Sequence, residues 1–182
     1  MDQENIITWP DEAEELYSIP EVQDTIAQIA QDLTVLSESN PLVLPMMNGG
    51  LFFTGQLLPQ LNFPLQCDYI HVTRYHETTS GSDLHWKKTP SQSLAGRTVL
   101  LLDDILDEGV TLESVTAYCE EQGAKKVVSA VLTRKERNGK PIASFKPDWW
   151  GLPLPDCYCF GCGLDYKGYW RNAPGLFALR DQ

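Results

Sequence analysis

Positive charge is scarce in this chain: 14 lysines and arginines stand against 25 acidic residues, for a formal charge of −11 over 182 residues. Such a field repels phosphate backbones and disfavours a broad nucleic-acid interface, while a small anion held by local amides is still allowed. No apolar run approaches the roughly 20 residues that span a bilayer. Met1-Asp2-Gln3-Glu4-Asn5 also lacks the basic start of a signal peptide, so a soluble, cytoplasmic protein without membrane partners is expected. There is no internal repeat and no low-complexity linker. Histidine is rare too. The three present (His71, His76, His85) lie far from the cysteine cluster Cys157-Tyr158-Cys159-Phe160-Gly161-Cys162, so four tetrahedral zinc ligands are hard to assemble. Reduced thiols on a strand are the simpler account of that cluster.

What is there suits one compact domain. With 42% hydrophobic residues, a chain of this size builds a full core. Val22, Ile26, Ile29, Leu33 and Leu36 recur at three- and four-residue spacings and predict an amphipathic helix over 19–36. Residues 42–47 read as a short strand closed by the Asn48-Gly49-Gly50 turn, and 51–61 as a second helix. Alternation over 65–73 predicts another strand. The polar stretch 76–93 reads as a long loop, preferably a lid.

Val99-Leu100-Leu101-Leu102 is continuously apolar, as in a parallel strand covered on both faces. A crossover helix over 111–121 and a strand over 127–132 complete a βαβ unit, which sets the class as α/β. Short strands near 149–152, 158–162 and 176–179 suggest a small hood or sheet extension.

The chemistry concentrates where the apolar strand ends, in Asp103-Asp104-Ile105-Leu106-Asp107-Glu108-Gly109-Val110-Thr111. In open α/β sheets, ligands sit outside the carboxyl ends of the strands. Turn amides and a helix start form an anion cradle, to which the Thr111 hydroxyl adds a donor. Asp103 and Asp104 suit sugar hydroxyls rather than phosphate, so the segment describes a ribose 5-phosphate site. It is not a Walker A loop, which ends in glycine, lysine and serine or threonine. A plain acidic turn capped by Asp107 is the ordinary alternative for an isolated acidic pair. A receiver domain is another, but its paired acids lie near the N-terminus with a phosphorylatable aspartate one βαβ unit later, and the chain runs out before supplying that order.

The stretch 101–112 resembles the phosphoribosyl pyrophosphate (PRPP) signature of type I phosphoribosyltransferases, and three further stretches resemble the hypoxanthine-guanine branch, so the likeness spans about residues 42–179. The resemblance implies the type I fold: a mainly parallel twisted sheet flanked by helices, with a small hood built from the chain ends. Residues 1–182 would form a single domain, about 37–140 holding PRPP and about 141–182 completing the purine site and hood.

It also implies roles. Asp103 and Asp104 hold the ribose hydroxyls, and Asp107 lies near the purine N7 as proton acceptor or donor. Backbone amides of Glu108, Gly109, Val110 and Thr111, with the Thr111 hydroxyl, bind the 5-phosphate. Glu108 stands where threonine or serine is usual. Lys135 donates to the purine O6, Tyr158 stacks on the base, and the Cys159 backbone meets its edge. Asp165 reaches a magnesium ion, and Arg171 meets pyrophosphate. Asn48 and Gly49 belong to the pyrophosphate loop, with Asn48 in place of the usual lysine or arginine, and Arg74-Tyr75 opens the mobile loop. The implied partners are PRPP, a 6-oxopurine and pyrophosphate, with magnesium as cofactor and a homodimer or homotetramer as the assembly. A xanthine or pyrimidine enzyme, or a PRPP-sensing regulator without catalysis, stays open as an alternative.

Overall fold

In a computed structural model, residues 7–74 and 84–179 are described. The chain opens with strand β1 (Ala13–Ser18) and helix α1 (Ile19–Asp32). Glu21 accepts hydrogen bonds from the amide and hydroxyl of Ser18 at the helix start, which satisfies donors the helix itself cannot. A 3₁₀ turn over Leu33–Ser39 follows, then β2 (Leu42–Met47) and α2 (Gly50–Leu57), which ends in a second 3₁₀ turn. The helix expected over 19–36 is therefore α-helical only to Asp32, and the one expected over 51–61 only to Leu57.

The strand expected over 65–73 is two pieces, β3 (Gln66–Cys67) and β4 (Ile70–Arg74), both parallel to β2. Between them the Asp68 carboxylate turns to accept the amides of Tyr69, Ser91 and Gln92. Part of the polar stretch read as a loop is β5 (Leu84–Lys88), antiparallel to β4. Its charged residues hid an edge strand, where exposed polar side chains are normal.

Next come β6 (Thr98–Leu106), α3 (Val110–Glu121) and β7 (Lys126–Arg137), with β6 and β7 parallel over eight residue pairs. The chain continues through β8 (Lys140–Pro141) and β9 (Trp149–Pro155) to β10 (Tyr158–Phe160) and β11 (Gly175–Leu179). The large sheet runs β5-β4-β2-β6-β7-β8, with β3 beside β2 and β9 parallel to β7. A separate three-stranded sheet, β1-β11-β10, joins the two chain ends into the expected hood.

The large sheet is covered on both faces, which explains the unbroken apolar run of β6. Leu100 and Leu102 turn toward Val22, Ile26, Phe53 and Leu57 of α1 and α2. Val99 and Leu101 turn the other way, to Leu112, Val115 and Cys119 of α3. Alternate side chains leave a strand on opposite faces, so both must be apolar here. Under the hood, Phe160, Tyr166, Ala173 and Leu179 form a small core of their own, which Trp9 closes edge-on against Phe160, Trp170 and Phe177. Among the described residues no helix is long and apolar enough to cross a membrane.

Candidate active site

The carboxyl ends of β2, β6 and β7 meet below the hood, and two cavities open there. The larger, about 500 Å³, is lined by the β2–α2 turn (Met47, Asn48, Gly49), by His71, Thr73 and Lys87, by Asp103, Asp104 and Asp107, by Gly109 and Thr111, and by Asp165 and Arg171. The smaller, about 260 Å³, is lined by Lys135, Tyr158, Cys159 and Leu164. Asp104, Ile105, Asp107 and Asp165 line both. A ligand filling both spaces would place its middle between Asp107 and Asp165.

Each side chain is set by its backbone. Gly109 begins α3 with φ +86, a left-handed conformation glycine takes without strain. A Cβ there would stand 2.9 Å from that of Phe145. The helix therefore begins at Val110, and its N-cap is Gly109 rather than Asp107. Opposite this turn, the Met47–Asn48 peptide is cis. A Cβ on Gly49 would collide with the Asp104 carboxylate, and one on Gly163 would lie 2.5 Å from the Gly49 carbonyl. Three chain segments thus approach so closely that a Cβ at Gly49 would displace the Asp104 carboxylate and one at Gly163 would meet backbone.

The acids are arranged in two ranks. Asp103 and Asp104 sit at the sheet end; Asp103 accepts the Asp104 amide at 3.0 Å, and Thr133 donates to the Asp104 carbonyl at 2.7 Å. Burial, reinforced by the Asp104 charge, pushes the Asp103 carboxyl well above the ordinary aspartate range. Burial also raises Asp104, but hydrogen bonding with Asp103 and the Arg171 guanidinium pull against it. The second rank is already paired. Lys135 Nζ lies 3.1 Å from Asp107. Arg171 donates to Asp165 and to the Gly163 carbonyl, each at 2.6 Å, and reaches 3.8 Å from Asp104.

Asp165 borders both cavities, as Asp104 and Asp107 do, and offers carboxylate oxygens there. Among the described residues no three His, Cys, Asp or Glu side chains group closely enough to hold an ion alone. The donor set fits magnesium, which takes one or two carboxylates and completes its shell with water and substrate phosphate oxygens.

Comparison with known proteins gives the family. Residues 12–156 match the family model described as the phosphoribosyl transferase domain. The chain belongs to the phosphoribosyltransferase family. It is similar to the hypoxanthine-guanine phosphoribosyltransferase of Lactococcus lactis, 30% identical over 92% of this chain and 91% of that one. The hypoxanthine-guanine-xanthine phosphoribosyltransferase of Tritrichomonas foetus is 29% identical over 91% of both. A crystal structure of a hypoxanthine phosphoribosyltransferase from Staphylococcus aureus superposes with a TM-score of 0.81 at 25% identity, covering 92% of this chain and 91% of that one. These relatives place the chain in the hypoxanthine-guanine branch.

Most of the residues singled out by that family's motifs come together. Asn48, Gly49, Asp103, Gly109, Thr111 and Arg171 line the larger cavity, Lys135, Tyr158 and Cys159 the smaller, and Asp104, Asp107 and Asp165 both. Glu108, in the turn, and Val110, the first residue of α3, line neither space. Lys135 lies within β7 rather than beyond it. Tyr158 is half-exposed at the rim, with its ring edge-on to Tyr166. The Cys159 thiol is buried and pushed up to about 12, chiefly by burial and then by Cys157, 4.0 Å away, so it offers packing rather than a thiolate. Arg74 ends β4 opposite Leu84, and Tyr75 lies outside the described residues. The cavity wall made by His71, Thr73 and Lys87 was not among the motif residues. For His71 and Thr73 the signal lay in the alternation of β4, whereas Lys87 comes from β5.

Proposed function

We propose that the chain transfers the 5-phosphoribosyl group of PRPP to hypoxanthine or guanine, giving IMP or GMP and pyrophosphate. The observation that carries this reading is the pair of cavities joined at Asp104, Asp107 and Asp165. One side offers carboxylates for a diol and a glycine-started helix for a phosphate. The other offers a lysine and an aromatic ring for a base.

In this reading Asp103 and Asp104 receive the ribose hydroxyls, the turn from Glu108 to Thr111 cradles the 5-phosphate, and Asn48, Gly49 and Arg171 face pyrophosphate. The base lies over Tyr158 with O6 toward Lys135. Lysine carries three donors, so Lys135 can keep Asp107 and still donate to O6. An amino group at that position offers no acceptor, and a buried donor left unpaired costs about 1–3 kcal/mol. N9 attacks the anomeric carbon as pyrophosphate departs, while Asp107 handles the proton near N7. A magnesium ion held through Asp165 and phosphate oxygens would neutralise charge on the leaving group. Arg171 shares that task from the protein side.

The direct test is to supply purified protein with PRPP, magnesium and one base at a time. Hypoxanthine and guanine should become nucleotides and adenine should not. Xanthine belongs in the panel because the Tritrichomonas relative is named for it. No nucleotide from any base overturns the proposal, and a product from a pyrimidine alone redirects it.

Two variants probe the halves of the site. Lys135→Met should lose roughly tenfold to a hundredfold in kcat/KM for hypoxanthine and narrow the gap to adenine; a loss shared equally by all bases would deny O6 recognition. Gly49→Ala keeps an ordinary backbone angle, φ −59, but drives its methyl into Asp104. A displacement of about 1 Å can cost a hundredfold, so kcat/KM for PRPP should fall on that order. Parent-like kinetics would show that the Asp104 position does not matter.

A further inference from the structure

The larger cavity has an uneven charge economy. Asp103, Asp104, Asp107 and Asp165 face it, with Arg171 and Lys87 as its lysine and arginine cations. Arg171 is committed to Asp165 and the Gly163 carbonyl. The turn Met47-Asn48-Gly49-Gly50 brings amides but no basic side chain. Among the described residues, a polyanion lying against that turn meets Arg171 from the hood side and a second cation, Lys87, from the edge hairpin.

The hairpin is built to deliver it. Met47 of β2 pairs with His71 of β4, which pairs with Lys88 of β5. The next pair on β4, Val72 with Trp86, skips Lys87, so Lys87 is the extra residue of a β-bulge. Bulges re-aim a side chain, and the neighbours show what is re-aimed. Trp86 packs against the core beneath α3, and Val72 does so while also bordering the cavity. Lys88 lies over the Tyr69 ring and donates to Thr89 and Ser91. Lys87, between them, lines the cavity. Strands are about 4.8 Å apart, so β5 stands roughly two such spacings from the β2 turn, within the reach of a lysine and a pyrophosphate together. The Lys87 charge is felt at the cavity wall: burial first, then Lys87, hold His71 below the usual imidazole range.

Resting on the phosphoribosyltransferase reading, we infer that Lys87, aimed by the β4–β5 bulge, is a binding residue for the pyrophosphate group of PRPP and of the product, supplying the cation that the Asn48 turn lacks. Binding of pyrophosphate with magnesium would be measured by calorimetry on the full chain, beside the KM for PRPP and the affinity for IMP, which carries no pyrophosphate. For Lys87→Met, pyrophosphate affinity should weaken and the KM for PRPP rise by roughly tenfold to a hundredfold, with IMP affinity kept. Lys87→Arg should restore most of the loss, and Lys88→Met should match the parent. Parent-like pyrophosphate binding by Lys87→Met, or equal weakening of pyrophosphate and IMP, overturns the inference and leaves the enzyme reading standing. A parent protein that makes no nucleotide overturns both.

Discussion

Asp107→Asn should lower turnover by roughly 10²–10⁴-fold, the range lost when a general acid or base is removed, while binding PRPP nearly as well as the parent. The substitution preserves shape and leaves a carbonyl oxygen able to accept from Lys135, now 3.1 Å away. What it removes is the capacity to take and return a proton. Asp107 is partly open, 43% exposed in its side chain, and borders both cavities, so a base can approach it without rearrangement of the sheet. Turnover and the equilibrium affinity for PRPP should be measured on the same preparation. A fall confined to kcat identifies a transition-state interaction; equal losses in rate and PRPP binding remove Asp107 from the chemistry.

The segment that carries Asp107 was legible in the sequence because its form depends on local order: an apolar strand, a run of acids, a glycine and a helix. Each is fixed by neighbours a few positions away, and the β6–α3 segment folds as those neighbours dictate. Elements that depend on distant partners were harder to read. β1 is a half-buried stretch with two exposed glutamates, a strand because Ala13–Ser18 pairs with Leu179–Gly175, far along the chain. β5 looks like polar loop until β4 lies beside it. The break between β3 and β4 comes from Asp68 reaching amides more than 20 residues ahead. The same rule governs the site. Asp103, Asp104, Asp107 and Thr111 could be read from one motif, whereas Lys87 enters through a register shift that no local pattern encodes. The glycine at 163 belongs to this second kind, since its need appears only when the hood loop meets the β2 turn.

Asp103→Asn should make the empty protein more stable at neutral pH and a poorer enzyme. In the folded state burial and the neighbouring Asp104 raise the Asp103 carboxyl well above its ordinary value, so the folded chain keeps this proton at pH values where the unfolded chain has released it. The pH slope of stability follows the protons bound by the unfolded state minus those bound by the folded one, which is negative here. Stability therefore falls as pH rises from the ordinary aspartate range through the raised folded value, and below that window the group contributes no slope. Asparagine does not ionise, so this part of the decline should vanish from melting curves taken across the window. The gain at neutral pH should be read as a rise in Tm, with about 2–4 °C for each 1 kcal/mol in a domain of this size. Asp104→Asn is the contrasting variant, because it strips Arg171 of a partner 3.8 Å away and should gain less. The cost to function is the lost charge-assisted bond to a ribose hydroxyl, about 1.5–3 kcal/mol, or roughly tenfold to a hundredfold in PRPP affinity. If the Asp103→Asn protein melts in parallel with the parent at every pH, the Asp103 carboxyl is not strained by its surroundings. If it binds PRPP as tightly as the parent, the sugar is held elsewhere.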